Sequence, residues 1–540
     1  MSKLTGSTLT GTGQLIRLIL RRDRVVMPLW ILFIALVPIS YAATFDTLYP
    51  TATARAQFAE TSGSTAGFIA MYGRLYGSSL GELVTWRAGF IPIVIGLISI
   101  LTVIRHTRAE EEAGRRELIG STVVGRNASL VAALGTTVGA NVLLGILLAA
   151  AMTSQHLPVS GSVAIGVQFA SAGALFAAIG GIAAQLTSNS GSARAIAVTV
   201  LGVTYLLRVV GDVSHQSGGT FTWVSWLSPI DWVQQIHPYG GNRWWPVVLT
   251  LAVTVTLCAI ALVLSVRRDV GAGFFAPKLG PAEAATSLNT PLALAWRLHR
   301  GLLAGWIAGF AVLGVVLGGL SESVTDLLQD NPNLQQILAR MGGNSGLVDI
   351  YLASIMSILG LIAVAYGIQA TLRMRAEESS GRAEPILSTG VGRLRWAISH
   401  LAFSALGPAA ALTAAGITAG LIHGINTNDV GHSLPRIVGS ALVQLPAVWM
   451  IAAITVALVG VAPKIAAASW GALAICLLIN LVGTALQLNH WLLDVSPFTH
   501  IPKLPGAMLS ATPLIALTGI ALILTTIGLA ALRRRDIPVG

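Results

Sequence analysis

The stretch Arg108-Ala109-Glu110-Glu111-Glu112-Ala113-Gly114-Arg115-Arg116-Glu117 occurs a second time, slightly changed, as Arg375-Ala376-Glu377-Glu378-Ser379-Ser380-Gly381-Arg382-Ala383-Glu384. The match continues without a gap to Arg126 and Arg393, and 13 of its 19 positions are identical. A second match with the same spacing along the chain joins Arg267-Arg268-Asp269 to Arg534-Arg535-Asp536. Two separate matches at one fixed offset indicate that the chain is a tandem duplication.

Composition places both copies in a membrane. Of the 540 residues, 54% are hydrophobic and 10% are charged, whereas a soluble domain usually has about 25% charged residues. The apolar residues form blocks of about 20, the length that a helix needs to cross a bilayer. The predicted spans are 25–45, 88–104, 128–153, 163–187, 195–213, 246–266, 302–321, 350–370, 396–422, 437–461, 466–485 and 512–532.

The duplication and the spans together predict the fold. We expect an all-α polytopic membrane protein with 12 transmembrane helices, arranged as two six-helix units of the same orientation. Residues 1–269 form the first unit, 270–290 a cytoplasmic linker rich in Gly, Ala and Pro, and 291–540 the second unit. Basic amphipathic segments precede each unit's first span, at 15–22 and 292–300, and are expected to lie at the membrane surface.

The basic residues predict the orientation. With the N-terminus inside, 25 of the 33 Lys and Arg residues lie on the cytoplasmic side, whereas the acidic residues divide equally. This bias is typical of a bacterial inner-membrane protein with both termini in the cytoplasm. The net charge of +11 is explained by membrane insertion, so no nucleic-acid partner is expected.

The repeated stretch lies in a cytoplasmic loop between the second and third span of each unit. If residues 108–117 are helical, Glu110, Gly114 and Glu117 lie on one side of the helix, as do their counterparts in the second copy. Pro385, where the first copy has Leu118, is expected to end the second helix. A charged face kept in both copies favours docking of the same partner twice. The alternative is that the arginines only fix the topology, which leaves the glutamates and the glycine unexplained.

The motif R-x-E-E-x-x-G-R-x-E-x-[IL]-x-S-T-x-V-x-R after the second of six spans resembles the coupling region of ABC-2 type exporter permeases. Twelve spans in one chain, with external segments before the second and sixth span of each half, resemble the actinobacterial antibiotic and multidrug efflux branch, including the tetronasin-type permeases. The resemblance covers essentially the whole chain. It implies a permease that extrudes drugs or lipids and couples to two copies of a separate ABC ATPase subunit, which binds ATP and Mg²⁺.

This resemblance assigns ATPase coupling to the charged and glycine positions of the two loops. They are Glu110, Glu111, Gly114, Arg115, Glu117, Arg126, Glu377, Glu378, Gly381, Arg382, Glu384 and Arg393.

No catalytic or metal site is predicted in the chain itself. It has no Gly-x-x-x-x-Gly-Lys-[Ser/Thr] nucleotide motif, no HExxH and no GxSxG. Two cysteines and scattered histidines exclude a zinc framework. The chain is therefore expected to be a transport subunit without its own cofactor, and its apolar spans suit a hydrophobic small-molecule substrate.

A secondary transporter of the major facilitator type is the main alternative, because it also has six plus six spans in parallel repeats. Such proteins carry ionisable residues within their spans. Here the only Asp, Glu, Lys or Arg residues within the predicted spans are Arg208 and Asp212, one turn apart near the outer end of the fifth span. They are candidates for gating or for the substrate path. A structural role near the interface is the simpler interpretation.

Overall fold

The computed structural model describes residues 8–275, 282–283, 285–329, 345–482 and 489–536. In these ranges twelve helical segments are long and apolar enough to cross a membrane. They coincide with the twelve predicted spans, so the all-helical polytopic fold is confirmed. The chain divides into two compact units, Met1–Gly280 and Pro281–Gly540, each with six of these segments.

The first unit combines six spans with short surface helices. Its helices are α1 (Thr12–Arg22), α2 (Val26–Leu48), α3 (Ala52–Gly63), α4 (Ala66–Tyr72), α5 (Leu80–Arg87), α6 (Ile91–His106), α7 (Arg108–Glu112), α8 (Arg115–Gly120), α9 (Ala128–Ser154), α10 (Val159–Leu186), α11 (Ser190–Gln216), α12 (Pro229–Gln234) and α13 (Trp245–Arg267). The amphipathic helix α1 packs Leu15, Ile16 and Ile19 against α9, which leaves its arginines at the surface.

The second unit has the same order of spans. Its helices are α14 (Pro291–Gln329), α15 (Ser345–Ser379), α16 (Ala383–Leu387), α17 (Arg393–Asn426), α18 (Val430–Leu442), α19 (Leu445–Val461), α20 (Ser469–Val482), α21 (His490–Leu493) and α22 (Ala511–Arg534). The basic segment 292–300 is here continuous with the first span of this unit, whereas α1 is a separate helix in the first unit.

Small residues allow the spans of the first unit to approach closely. Helix α10 is central and packs against α6, α9 and α13. A Cβ atom on Gly145 would lie 2.5 Å from the carbonyl oxygen of Gly166, and one on Gly166 would lie 2.3 Å from that of Gly145. Glycine at both positions therefore sets the contact between α9 and α10, as small residues commonly do in membranes.

The fourth span of the second unit is broken, although the sequence predicts one continuous helix over 437–461. Helix α18 ends at Leu442 and α19 begins at Leu445, with Pro446 in its first turn. Proline has no N–H and clashes with the carbonyl four residues earlier, here that of Leu442. The prediction of a single span missed this break because Pro446 lies within an otherwise uniform apolar run.

Candidate functional site

The two loops that contain the repeat, residues 108–126 and 375–393, are named coupling loops here after the resemblance. Neither of them forms the continuous helix that the sequence predicted. Helix α7 ends at Glu112, and Gly114 follows with φ 71° before α8 begins. In the second unit α15 ends at Ser379, and Gly381 follows with φ 70°. Glycine in this left-handed conformation is a common helix terminator. The prediction that Glu110, Gly114 and Glu117 share one helical face is therefore wrong, and the repeated glycine ends the helix instead.

Pro385 does not end a helix either. It lies inside the short helix α16, which starts at Ala383. Proline is accepted there because the first N–H groups of a helix have no partner within the helix. Helix α8 of the first loop corresponds to α16 of the second, so both loops are helical at this position. They differ there only in the side chain, which is Leu118 in the first loop and Pro385 in the second.

Glu111 is buried in a cluster of arginines. Its two carboxylate oxygens each accept a 2.8 Å hydrogen bond from Arg268, which follows the last helix of the unit. Arg108 and Arg116 approach the same carboxylate at 3.1 and 3.2 Å, and the backbone N–H of Gly271 donates to it at 2.7 Å. Burial lowers the pKa of Arg116, a shift that the Glu111 carboxylate opposes. One carboxylate thus ties the coupling loop to the end of the sixth span.

The cluster also reaches the C-terminal end of α10. Arg268 Nε donates to Gln185 Oε1 at 2.8 Å, and Arg108 Nε donates to the carbonyl oxygen of Ala184 at 2.9 Å. Arg108 has no exposed surface and Glu111 has 7%. Three guanidinium groups surround this one carboxylate, and two of them are buried. Glu111 is therefore indispensable to the cluster, because isolated buried charges are costly.

The same ion pair occurs in the second unit. Glu378 accepts 2.8 Å hydrogen bonds from Arg535 on both carboxylate oxygens, and Arg375 lies 3.4 Å away. Arg126 donates to the carbonyl oxygen of Arg268, and Arg393 likewise donates to that of Arg535, each at 2.7 Å. The two sequence matches that define the repeat are therefore the two sides of one contact, present once in each unit.

Glu111 and Glu378 were assigned to ATPase coupling by the resemblance, and the structure turns both toward their own chain. Arg268 and Arg535 are functional residues that the sequence analysis missed, since they served only to mark the register of the repeat. Their shared offset with the glutamates was the signal that could have indicated the pairing. An ion pair between distant repeat positions cannot be recognised until the fold brings them together.

The remaining predicted residues are divided between internal contacts and the surface. Glu110 binds Arg115 at 2.5 Å and also Arg22, and the contact with Glu110 raises the pKa of Arg115. Glu377 is buried, 3.2 Å from Arg373 and 3.3 Å from Arg382. Exposed residues form the loop tips: Glu117, Ser121, Thr122 and Val123 in the first, and Glu384, Ser388, Thr389 and Gly390 in the second.

Comparison with known proteins identifies the family. The family model described as "Multidrug efflux system permease Rv1217c, C-terminal domain" matches residues 13–264 and 288–533. The chain belongs to this multidrug efflux permease family. It is also 42% identical over 534 residues to "Multidrug efflux system permease protein Rv1217c" of Mycobacterium tuberculosis (strain ATCC 25618 / H37Rv), covering 98% of this chain and 96% of that protein.

In this permease Arg208 and Asp212 hold helix α4 in place. Arg208 is fully buried and donates to the carbonyl oxygens of Ile69, at 3.1 Å, and of Ala70, while Asp212 lies 3.6 Å from it. Both carbonyls belong to the last turn of α4, where a cation is favourable. The structural interpretation of the pair fits these contacts, although Arg208 points into the protein and does not extend to the surface.

Proposed function

We propose that this permease is the membrane-spanning subunit of an ATP-driven ABC exporter of the tetronasin-type branch. Two copies of a separate ATPase subunit would bind ATP and Mg²⁺ and dock on the two coupling loops. The observation that carries the proposal is the duplicated loop, because each copy combines an exposed tip with a buried attachment to the last span of its unit. A displacement of the tip of such a loop by the ATPase would be transmitted to the last span of the unit.

The cargo is proposed from family and composition. The relative's name describes multidrug efflux, and the spans are apolar over nearly their whole length. Hydrophobic or amphipathic compounds, such as antibiotics, other drugs or lipids, are the class that suits this lining. The permease would lie in the bacterial inner membrane with both termini in the cytoplasm. Labelling of a single cysteine at position 113 or 380 by an impermeant reagent from outside would contradict that orientation.

A secondary transporter is the alternative, but the ionisable residues that favoured it have another explanation. The ionisable pair in the fifth span, Arg208 and Asp212, is engaged with the carbonyls of α4. Its contacts thus explain its presence without ion coupling. Export that persists without ATP but stops when the ion gradient collapses would favour this alternative over the proposed one.

Copurification tests the proposal directly. We expect the permease, isolated in mild detergent from its native host, to bring with it a subunit that contains a nucleotide-binding P-loop. The complex should hydrolyse ATP, whereas the permease alone should not, because the chain has no nucleotide motif. Nucleotide-specific hydrolysis by the single purified chain, or its isolation without any ATPase, would contradict the proposal.

The docking surface can be tested at the loop tips. Glu117 and Glu384 occupy the same repeat position and are exposed, whereas Glu110 and Glu377 already have arginine partners. The double variant Glu117→Arg/Glu384→Arg should lower recovery of the ATPase while the permease stays folded in the membrane. Reversal of Asp269, a cytoplasmic acidic residue outside both loops, serves as the control. Equal loss of ATPase in both variants would exclude docking at these tips.

A further inference from the structure

Three consecutive glutamates connect the first coupling loop to three different elements. Glu110 pairs with Arg22 at the end of α1, and Glu111 pairs with Arg268 beyond α13. Glu112 accepts hydrogen bonds from the backbone N–H and the hydroxyl of Ser190, at 3.0 and 2.6 Å. Neighbouring residues of a helix point about 100° apart, so one short helix can reach three directions. The loop is thereby attached to α1, α11 and the end of α13.

The backbone provides a further attachment of the first loop. The N–H of Gly125 donates to the carbonyl of Thr10 at 2.9 Å, and that of Asn127 donates to Thr8 at 3.1 Å. A Cβ atom on Gly125 would lie 2.2 Å from the carbonyl oxygen of Thr8. The N-terminal segment before α1 is therefore joined to the loop where the loop enters α9.

The second loop has fewer connections among the residues that the structure describes. Glu377 contacts Arg373 and Arg382 of its own helix and loop, and the Ser379 hydroxyl donates to the carbonyl of Ala376. A Cβ atom on Gly392, the counterpart of Gly125, would meet no atom within 4 Å. Of its charged and polar side chains, only Glu378 and Arg393 bond to another element within the described structure, and both bond to the end of α22. Its apolar side chains Ile386, Leu387 and Val391 pack with Val459, Ala466 and Leu532.

We propose that the first coupling loop is the main transmitting loop of this permease, and that Glu110 and Glu112 are the positioning residues that give it this role. The inference rests on the proposed function, because it assumes that an ATPase moves the loops. A displacement of the first loop must move α1, the start of α11 and the end of α13 together. In the second loop, the hydrogen bonds and ion pairs to other elements reach the end of α22 alone, and the rest of its attachment is apolar packing.

Of Glu110 and Glu112, Glu112 provides the more specific test. Ser190 is the first residue of α11, and a carboxylate at a helix N-terminus is favourable both for its charge and for the unpartnered N–H groups there. Glu112 is exposed on its other side, so its removal leaves no buried arginine without a counter-charge. Ser379 occupies the same repeat position in the second loop and provides a matched control.

The experiment uses the complex of the permease with its copurified ATPase, reconstituted in lipid vesicles. ATP hydrolysis and transport of a fluorescent hydrophobic drug are measured together for Glu112→Ala, Ser190→Ala and Ser379→Ala. We expect Glu112→Ala to lower the drug transported per ATP by about fivefold or more, the lower end of usual coupling effects. Ser190→Ala should give a smaller loss, because its N–H remains, and the double variant should not exceed Glu112→Ala. Ser379→Ala should change the ratio by less than about twofold, a surface effect.

Glu110 is tested in the same assay. Glu110→Gln and Arg22→Gln should each lower transport per ATP, and Arg21→Gln, an exposed arginine of the same helix, should not. ATPase recovery and thermal stability are measured for every variant, since a purely structural role would change those and leave the ratio intact.

Several outcomes would overturn the inference. The first is an unchanged amount of drug transported per ATP in Glu112→Ala. The second is an equal loss of drug transported per ATP in Ser379→Ala. The third is a loss of ATPase recovery in Glu112→Ala, which would make Glu112 a docking residue. Failure of the unmodified permease to recover any ATPase would instead contradict the proposed function, and the two failures are therefore distinguishable.

Discussion

At the ends opposite the coupling loops, the two units stabilise their short helices and connecting segments by different means. In the first unit the fifth span carries the fully buried Arg208 with Asp212. The residues 267 positions later in the chain, Ile475 and Ile479 in the fifth span of the second copy, carry no charge. There the polar contact lies elsewhere, where the partly exposed Arg436 pairs with Asp349 at 2.6 Å and donates to the carbonyl of Pro505. Each unit thus has its own contact on this side.

The ends that carry the coupling loops differ much less, because both units retain the same glutamate–arginine pair. At one end each unit has its own contact. At the other end both loops are attached to the last span of their own unit. The following predictions test that difference, beginning with the largest effect.

Removal of Glu111 should be the most damaging single change. Glu111→Ala leaves Arg108, Arg116 and Arg268 without their shared carboxylate, and we expect it to lower the free energy of unfolding by about 5 kcal/mol, the upper end for breaking a buried pair. Glu378→Ala leaves only Arg375 and Arg535, both partly solvated, and should cost about 3 kcal/mol. Denaturant unfolding of both variants in one detergent measures the difference. A larger loss in Glu378→Ala would reverse this ranking of the two units.

The buried pair Arg208 and Asp212 of the first unit should be replaceable by the isoleucines found at 475 and 479 in the second unit. Arg208→Ile leaves Asp212 buried and unpaired and should cost about 3 kcal/mol. The double variant Arg208→Ile/Asp212→Ile copies the residues at 475 and 479 and should recover part of that loss, since no buried charge remains. Unfolding of the two variants is compared in the same detergent. If the double variant is less stable than Arg208→Ile, Asp212 has a favourable partner other than Arg208.

The smallest effect concerns acid sensitivity. Burial and the nearby Arg243 and Arg74 lower the pKa of His237 from its usual 6.5 to about 4. Below pH 6.5 the unfolded chain binds a proton that the folded chain does not, so stability should fall by about 1 kcal/mol between pH 6.5 and 5.5. Burial raises the pKa of Asp231 and acts in the opposite sense, so the measurement is the difference between the unmodified permease and His237→Gln. Identical pH profiles would show that the pKa of His237 is the same in the folded and unfolded states.

The sequence predicted the fold well because the signals for a membrane helix are local. A run of about 20 apolar residues needs a span wherever it occurs, and the constant offset between the matched segments identified two units without reference to contacts. The repeated loop was located for the same reason, from its charge and repetition. Even the register of the repeat, marked by Arg268 and Arg535, was correct.

The geometry of the site was not predictable because it depends on partners distant in the chain. Glu110, Glu111 and Glu112 look equivalent in sequence, yet they bind Arg22, Arg268 and Ser190. The helical pattern placed Gly114 on a charged face, whereas its left-handed backbone ends the helix. Glu112 differs from its counterpart Ser379, and only the fold shows that it binds the start of α11.

The glutamate–arginine pair also indicates when it arose. Residues 111 and 378 correspond to each other in the repeat, as do residues 268 and 535, so each pair joins the same two positions of the repeat. Such a pair arises once and is then copied, and it was therefore present in the six-helix gene before that gene was duplicated. The ancestor had a loop already fastened to its last span. The links to Arg22 and Ser190 occur in the first unit, so the two loops have diverged since the duplication.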